Sequence, residues 1–126
     1  MVFHGVENLG WEPKTRKELV EYFSYMKANE NNLWIAPFRD VTKYLRERKA
    51  TQIQASVNNE EIKLTLSSTL DPVVYTVPLT LKTYIPKEWG NILVKQGESE
   101  QSLTVQTDEK GNYVVYNVSP VAGEVL

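Results

Sequence analysis

The sequence predicts an α+β architecture, a strand-helix-strand-helix segment that leads into an antiparallel β-sandwich of six or seven strands. Three observations carry this prediction. Apolar residues recur at helical spacing through much of the first fifty positions, the period changes to two after Ala50, and turn signals punctuate the second half. The sequence has 126 residues, about one domain's worth, so any second unit has to be small. The change of texture divides it into residues 1–50 and 51–126.

In the first part, Thr15 followed by Glu18 is a capping box. Leu19, Tyr22, Phe23 and Met26 then fall on one face, which predicts a helix from about Thr15 to Ala28. Asn29-Glu30-Asn31-Asn32 breaks it, and Leu33-Trp34-Ile35-Ala36 is a short apolar run suited to a buried strand. Pro37 is placed to open a second helix, with Phe38, Val41, Tyr44 and Leu45 as its buried face. That helix should end near Arg48, where Arg46, Arg48 and Lys49 complement the negative end of its dipole. The charged run from Lys43 to Lys49 reads as a solvated face.

In the second part, Ile53, Ala55 and Val57 alternate with polar neighbours, as do Ile62, Leu64 and Leu66, and Asn58-Asn59 between them suits a tight hairpin. Val73, Tyr75, Val77, Leu79 and Leu81 predict one longer strand. Further strands are expected at Ile92 to Val94, Leu103 to Val105, Tyr113 to Val118 and Val121 to Val125, with Asp108-Glu109-Lys110-Gly111 as a turn. Alternation puts Leu64, Leu66, Val77, Leu79, Val105 and Val115 on the inward face. A two-stranded parallel fragment at the start would leave its edges open, so the segment needs further strands, a covering surface or a homo-oligomer.

Fourteen basic and sixteen acidic residues, mixed along the chain, leave a net charge of −2 and no positive field for nucleic acid. No apolar stretch approaches the roughly 20 residues of a membrane-spanning helix, and Met1-Val2-Phe3 is too short for a signal peptide core. The absence of cysteine excludes disulfides, thiol catalysis and cysteine-ligated zinc. No glycine-rich phosphate loop, serine nucleophile elbow, zinc-protease helix or EF-hand spacing occurs.

Met1-Val2-Phe3-His4-Gly5, Gly10-Trp11-Glu12-Pro13, the helix, and Leu33-Trp34-Ile35-Ala36-Pro37-Phe38 leading to Val41-Thr42-Lys43-Tyr44 resemble the closing segment of polysaccharide deacetylases of the NodB-homology type. The resemblance spans about residues 1–49, with Val2 and Phe3 where that family usually has leucines. It implies that residues 1–50 are the last piece of a distorted (β/α) barrel and that the chain is the C-terminal portion of such a carbohydrate esterase, accessory and inactive alone. Residues 51–126 resemble, by texture, the β-sandwich tails of some of these proteins. The resemblance further implies that His4, the sole histidine, is the general acid that protonates the leaving amine. It implies no cofactor in this chain and a divalent metal, zinc or similar, in an intact parent that acts on polysaccharide in a secreted or periplasmic setting. The alternative reading is a non-catalytic carbohydrate-binding or interaction module.

Three tryptophans are candidate sugar contacts, because an aromatic face matches the C–H face of a pyranose. Trp11 either lines a substrate cleft or covers the helix entry, and Trp34 belongs to the core. Trp89, in Pro86-Lys87-Glu88-Trp89-Gly90, is either an exposed loop aromatic or a plug over one end of the sandwich. With only Trp89 and Tyr84 as platform residues, the second half should hold polysaccharide weakly.

Overall fold

A computed structural model describes residues 2–58, 60–120 and 123–126. Met1, Asn59, Val121 and Ala122, which belong to the expected first strand, hairpin turn and last strand, lie outside the described residues. The chain is mixed α+β and divides into two compact units, Met1–Pro37 and Phe38–Leu126.

The first unit holds a two-residue hairpin and one helix. Strands β1 (Gly5–Val6) and β2 (Leu9–Gly10) pair antiparallel, with Gly5 opposite Gly10. Both glycines are obligatory here. A Cβ on Gly5 would lie 2.0 Å from the Leu9 carbonyl oxygen, and one on Gly10 would lie 2.2 Å from that of His4, where φ is also +89°. Helix α1 (Arg16–Ala28) begins at the expected box: Thr15 Oγ1 accepts the Glu18 N–H at 3.2 Å and Glu18 Oε2 accepts the Thr15 N–H at 2.9 Å. The Thr15 N–H and the Thr15 hydroxyl, which donates to Glu18 Oε2 at 3.0 Å, both favour the ionised Glu18 carboxylate and lower its pKa.

The expected strand at Leu33–Ala36 does not form, and Trp34 is 56% exposed, not a core residue. Its backbone finds no ladder among the described residues, and an apolar run without a partner strand has no reason to extend. Among the described residues parallel pairing is limited to one bridge, Val6 to Lys14.

The second unit starts with helix α2 (Phe38–Ala50), directly after Pro37. Its charged run is not uniformly solvated: Glu47 is 1% exposed, because its Oε1 accepts the Val77 N–H at 3.0 Å. The segment around Val77 thereby becomes anchored to the helix.

Eight strands follow among the described residues: β3 (Gln52–Val57), β4 (Ile62–Ser67), β5 (Leu79–Tyr84), β6 (Ile92–Gln96), β7 (Ser99–Leu103), β8 (Gln106–Asp108), β9 (Gly111–Val118) and β10 (Gly123–Val125). All their ladders are antiparallel. β10 pairs with β4, which pairs with β3, while β6 pairs with β7. Lys95 and Leu126 exchange backbone hydrogen bonds of 2.7 and 2.9 Å and connect the two groups, giving the order β3-β4-β10-β6-β7. The facing sheet is β5-β9-β8. Leu64, Leu66, Val94 and Val125 from the first layer meet Leu79, Val114, Tyr116 and Val118 from the second. Fully burying each such side chain is worth about 1.5–3 kcal/mol, so this layer contact is the main source of stability.

Four strand expectations change, the first being the strand expected at Leu103 to Val105, where Leu103 ends β7 and Thr104 and Val105 lie between strands. The long strand from Val73 shortens to β5, because Pro78 has no N–H for a ladder and Asp71 organises a turn by accepting the Val73 N–H on Oδ1 at 2.9 Å. In β9 the inward residues are Val114, Tyr116 and Val118, so Val115 faces outward at 39% exposure. Strand β3 forms with every residue exposed, since it is the edge of its sheet. Of the other expected inward residues, Leu64, Leu66 and Leu79 are buried, Val105 is half-buried against the core, and Val77 is half-buried outside any strand.

Candidate functional site

The hairpin of the first unit presents His4 and Trp11. Their rings meet edge to face with centroids 5.1 Å apart and planes at 66°, and Trp11 remains 66% exposed. His4 is exposed in a bend before β1, not at the end of a longer strand. Among the described residues no group of three or more His, Asp or Glu side chains is placed to hold a metal ion. The donors present do not fit a catalytic metal, and no reaction step can be derived through one.

In the second unit, the Ile85 N–H donates to the Asn112 carbonyl at 3.0 Å and the Trp89 N–H to the Pro86 carbonyl at 3.2 Å. These two bonds fold the β5–β6 connection over one end of the sandwich and set Trp89, half-buried, at an opening between the layers. Behind it lies a cavity of about 390 Å³. Trp89 is one of the residues that line it.

The cavity floor is aliphatic, with Ile62, Ile92 and Val114, and carries one polar handle. Thr83 Oγ1 and the Tyr116 hydroxyl are 2.8 Å apart and share a hydrogen bond. Burial raises the Tyr116 pKa, so the phenol keeps its proton at neutral pH. At the mouth stand Asn91, Glu60 and Glu61. Asn58 fixes that corner: its Oδ1 accepts the N–H groups of Glu60 and Glu61, both at 2.8 Å. Among the described residues, the hydrogen bond to these side-chain carboxylates is that from Asn58 Nδ2 to Glu61 Oε1 at 3.4 Å.

A second aromatic cluster lies on the outer face of β5-β9-β8. Tyr84 and Tyr113 are cross-strand partners with ring centroids 5.9 Å apart. The Lys82 ammonium lies 3.7 Å from the Tyr113 centroid and 2.5 Å from Asp108 Oδ2, which also accepts the Tyr84 hydroxyl at 3.0 Å. Lys82 thus lies over both rings, 5.1 Å from the Tyr84 centroid, and Tyr84 remains 40% exposed.

Sequence reading identified Trp89 and Tyr84 but missed Tyr116, Thr83 and the two glutamates, because only the meeting of separate strands makes them neighbours. The one available signal was parity: Tyr116 shares the inward face with Val114 and Val118, and a tyrosine there needs a hydroxyl partner. The structure gathers His4 with Trp11 in one unit, while Trp89 lines the cavity of the other.

No protein-family profile matches the chain, and no solved structure matches it. A gellan lyase from a Bacillus species is 23% identical over 133 residues, an alignment that takes in 99% of this chain and 5% of that protein. The chain thus spans about one-twentieth of the length of the curated relative it matches.

Proposed function

We propose that the chain is a non-catalytic carbohydrate-binding module of a larger polysaccharide-acting protein. The observation that carries this reading is the Trp89-walled cavity: an aromatic face for the C–H side of a sugar ring, with carboxylate and amide groups at the mouth for its hydroxyls. At about 390 Å³ it suits one or two rings, not a long cleft. The similarity to a small part of a gellan lyase supports a modular role beside a polysaccharide-processing unit.

The test is calorimetric titration with a panel of neutral oligosaccharides. Binding should weaken about tenfold or more in Trp89→Ala, equivalent to ~1.4 kcal/mol, and change little in Trp11→Ala. Failure of the whole panel to bind, or unchanged binding by Trp89→Ala, would overturn the reading.

A second reading makes residues 1–50 the closing piece of a deacetylase barrel, with His4 as general acid. The single observation in its favour is the contact of the imidazole with Trp11, an aromatic wall beside a proton donor. It requires a metal-holding partner segment. An Asp-Asp and His-any-any-any-His pattern encoded in frame upstream would support it, and an unrelated upstream sequence would remove it.

A further inference from the structure

Helix α2 and the 71–75 turn enclose a second, smaller groove of about 210 Å³. Arg39, Lys43 and Arg46 are spaced at i, i+4 and i+7, so they share one face of the helix, and Thr42 lies beside them. The opposite wall is held in shape by Asp71, whose carbonyl oxygen accepts the Val74 and Tyr75 N–H groups at 3.1 and 3.0 Å. The Arg46 Nη1 donates to the Tyr75 hydroxyl at 2.8 Å and ties helix to turn. Phe38, at 86% exposure, and Val74, at 44%, supply apolar surface.

The charges of this groove are unbalanced. Asp40 is engaged by Arg39 at 2.8 Å, and that hydrogen bond lowers the Asp40 pKa and raises that of Arg39. Among the described residues neither Lys43 nor Arg46 forms an ion pair, and Tyr75 occupies Arg46 with a neutral hydroxyl only. Lys43 also acts on Asp40 through its charge, so three cations, Arg39, Lys43 and Arg46, stand against one carboxylate and make the groove locally positive in a chain of net charge −2. Three residues apart on a helix, Lys43 and Arg46 are separated by about 4.5 Å along the axis, close enough for both to reach one carboxylate.

From this geometry we infer that the groove binds a carboxylate-bearing polysaccharide, with one uronate-type carboxylate between Lys43 and Arg46 and an adjoining sugar face against Phe38. The ligand class rests on the carbohydrate-binding reading above, but the site does not depend on the Trp89 cavity. A densely charged polymer such as nucleic acid fits less well, because three cations beside Asp40 on a net-negative chain match sparse charge. The Trp89 cavity, with Glu60 and Glu61 at its mouth, repels the same carboxylate, so the two sites divide acidic from neutral sugar.

The experiment is titration of the whole chain with oligogalacturonate, with its methyl-esterified form as a neutral control and with polyglutamate as a polyanion that is not a sugar. Oligogalacturonate should bind, and added salt should weaken it. Lys43→Glu, which reverses one charge of the groove, should reduce affinity about tenfold or more with the far-UV circular dichroism unchanged, and Phe38→Ala severalfold. Trp89→Ala should leave this affinity unchanged while weakening binding of neutral oligosaccharides about tenfold or more. Equal affinity of Lys43→Glu and the parent chain overturns the site, and polyglutamate binding as tightly as oligogalacturonate overturns the sugar class. Oligogalacturonate binding that survives where the neutral panel fails would sink the cavity reading and leave this one standing.

Discussion

Asp108 shows how one side chain organises a sheet face. Its Oδ2 takes Lys82 and the Tyr84 hydroxyl, and its Oδ1 takes the Lys110 N–H at 2.8 Å, which closes the turn into β9. Lys82, before the other donors, brings the Asp108 pKa down to about 2. The native state therefore holds this proton less tightly than the unfolded chain does. The stability it contributes is complete above the ordinary aspartate range, near pH ~4. It is lost as pH falls through about 2. In Lys82→Met the Asp108 titration, followed by carboxyl-carbon NMR, should move up toward the ordinary value, with Tyr84 and Tyr113 released from their common cation. An Asp108 titration unchanged in that variant would assign the shift to the backbone instead. Asp108 was legible in the sequence only as a turn residue, because Lys82 lies 26 positions away and becomes its neighbour through the β5-β9-β8 pairing.

At the scale of elements, the two helices are held by different forces, and this separates what the sequence could reveal from what it could not. Helix α1 has no buried residue, so it depends on local terms, and its capping box could be read directly from Thr15 and Glu18. Helix α2 is held by tertiary contacts: Tyr44 packs against the core, and Glu47 is buried where it accepts the distant Val77 N–H. A run of Lys43, Arg46, Glu47, Arg48 and Lys49 gives no local sign of which member turns inward. Thr15→Ala should cost about 1 kcal/mol of α1 stability. Glu47→Ala should cost more, about 2–4 kcal/mol, because it leaves the Val77 N–H unpaired and opens a void. Glu47→Gln, which keeps an acceptor, should cost less than half of that. Urea unfolding of the three variants checks the order, and equal losses in Glu47→Ala and Glu47→Gln would show that the hydrogen bond is not the anchor. Strands follow the same logic. Alternation fixed β4 correctly through Leu64 and Leu66, whereas in Tyr113–Val118 both parities carry apolar residues and only Asn117 marks the outward one.

On the scale of the whole molecule, the units Met1–Pro37 and Phe38–Leu126 differ in what sustains them. Among the described residues the buried hydrophobic core belongs to the second. Residues 38–126 alone should therefore unfold in one cooperative transition, with a midpoint within a few degrees of that of the same transition in the full chain, by circular dichroism and calorimetry. A broad transition would show that the first unit supplies part of the core. The cavity and the α2 groove both lie in this second unit, so the shortened chain should also retain both binding activities. The placement of β10 between β4 and β6 sets an order of events during folding. The β6–β7 hairpin closes over a few residues, a process of about 1–10 μs. By contrast, β10 reaches β4 across roughly sixty positions, with Val125 opposite Leu64, and bears the larger entropic cost of that closure. Two ribbons must wait, each with a bare edge, until the strand between them arrives, so the interval before β10 docks is when neighbouring chains can pair by mistake.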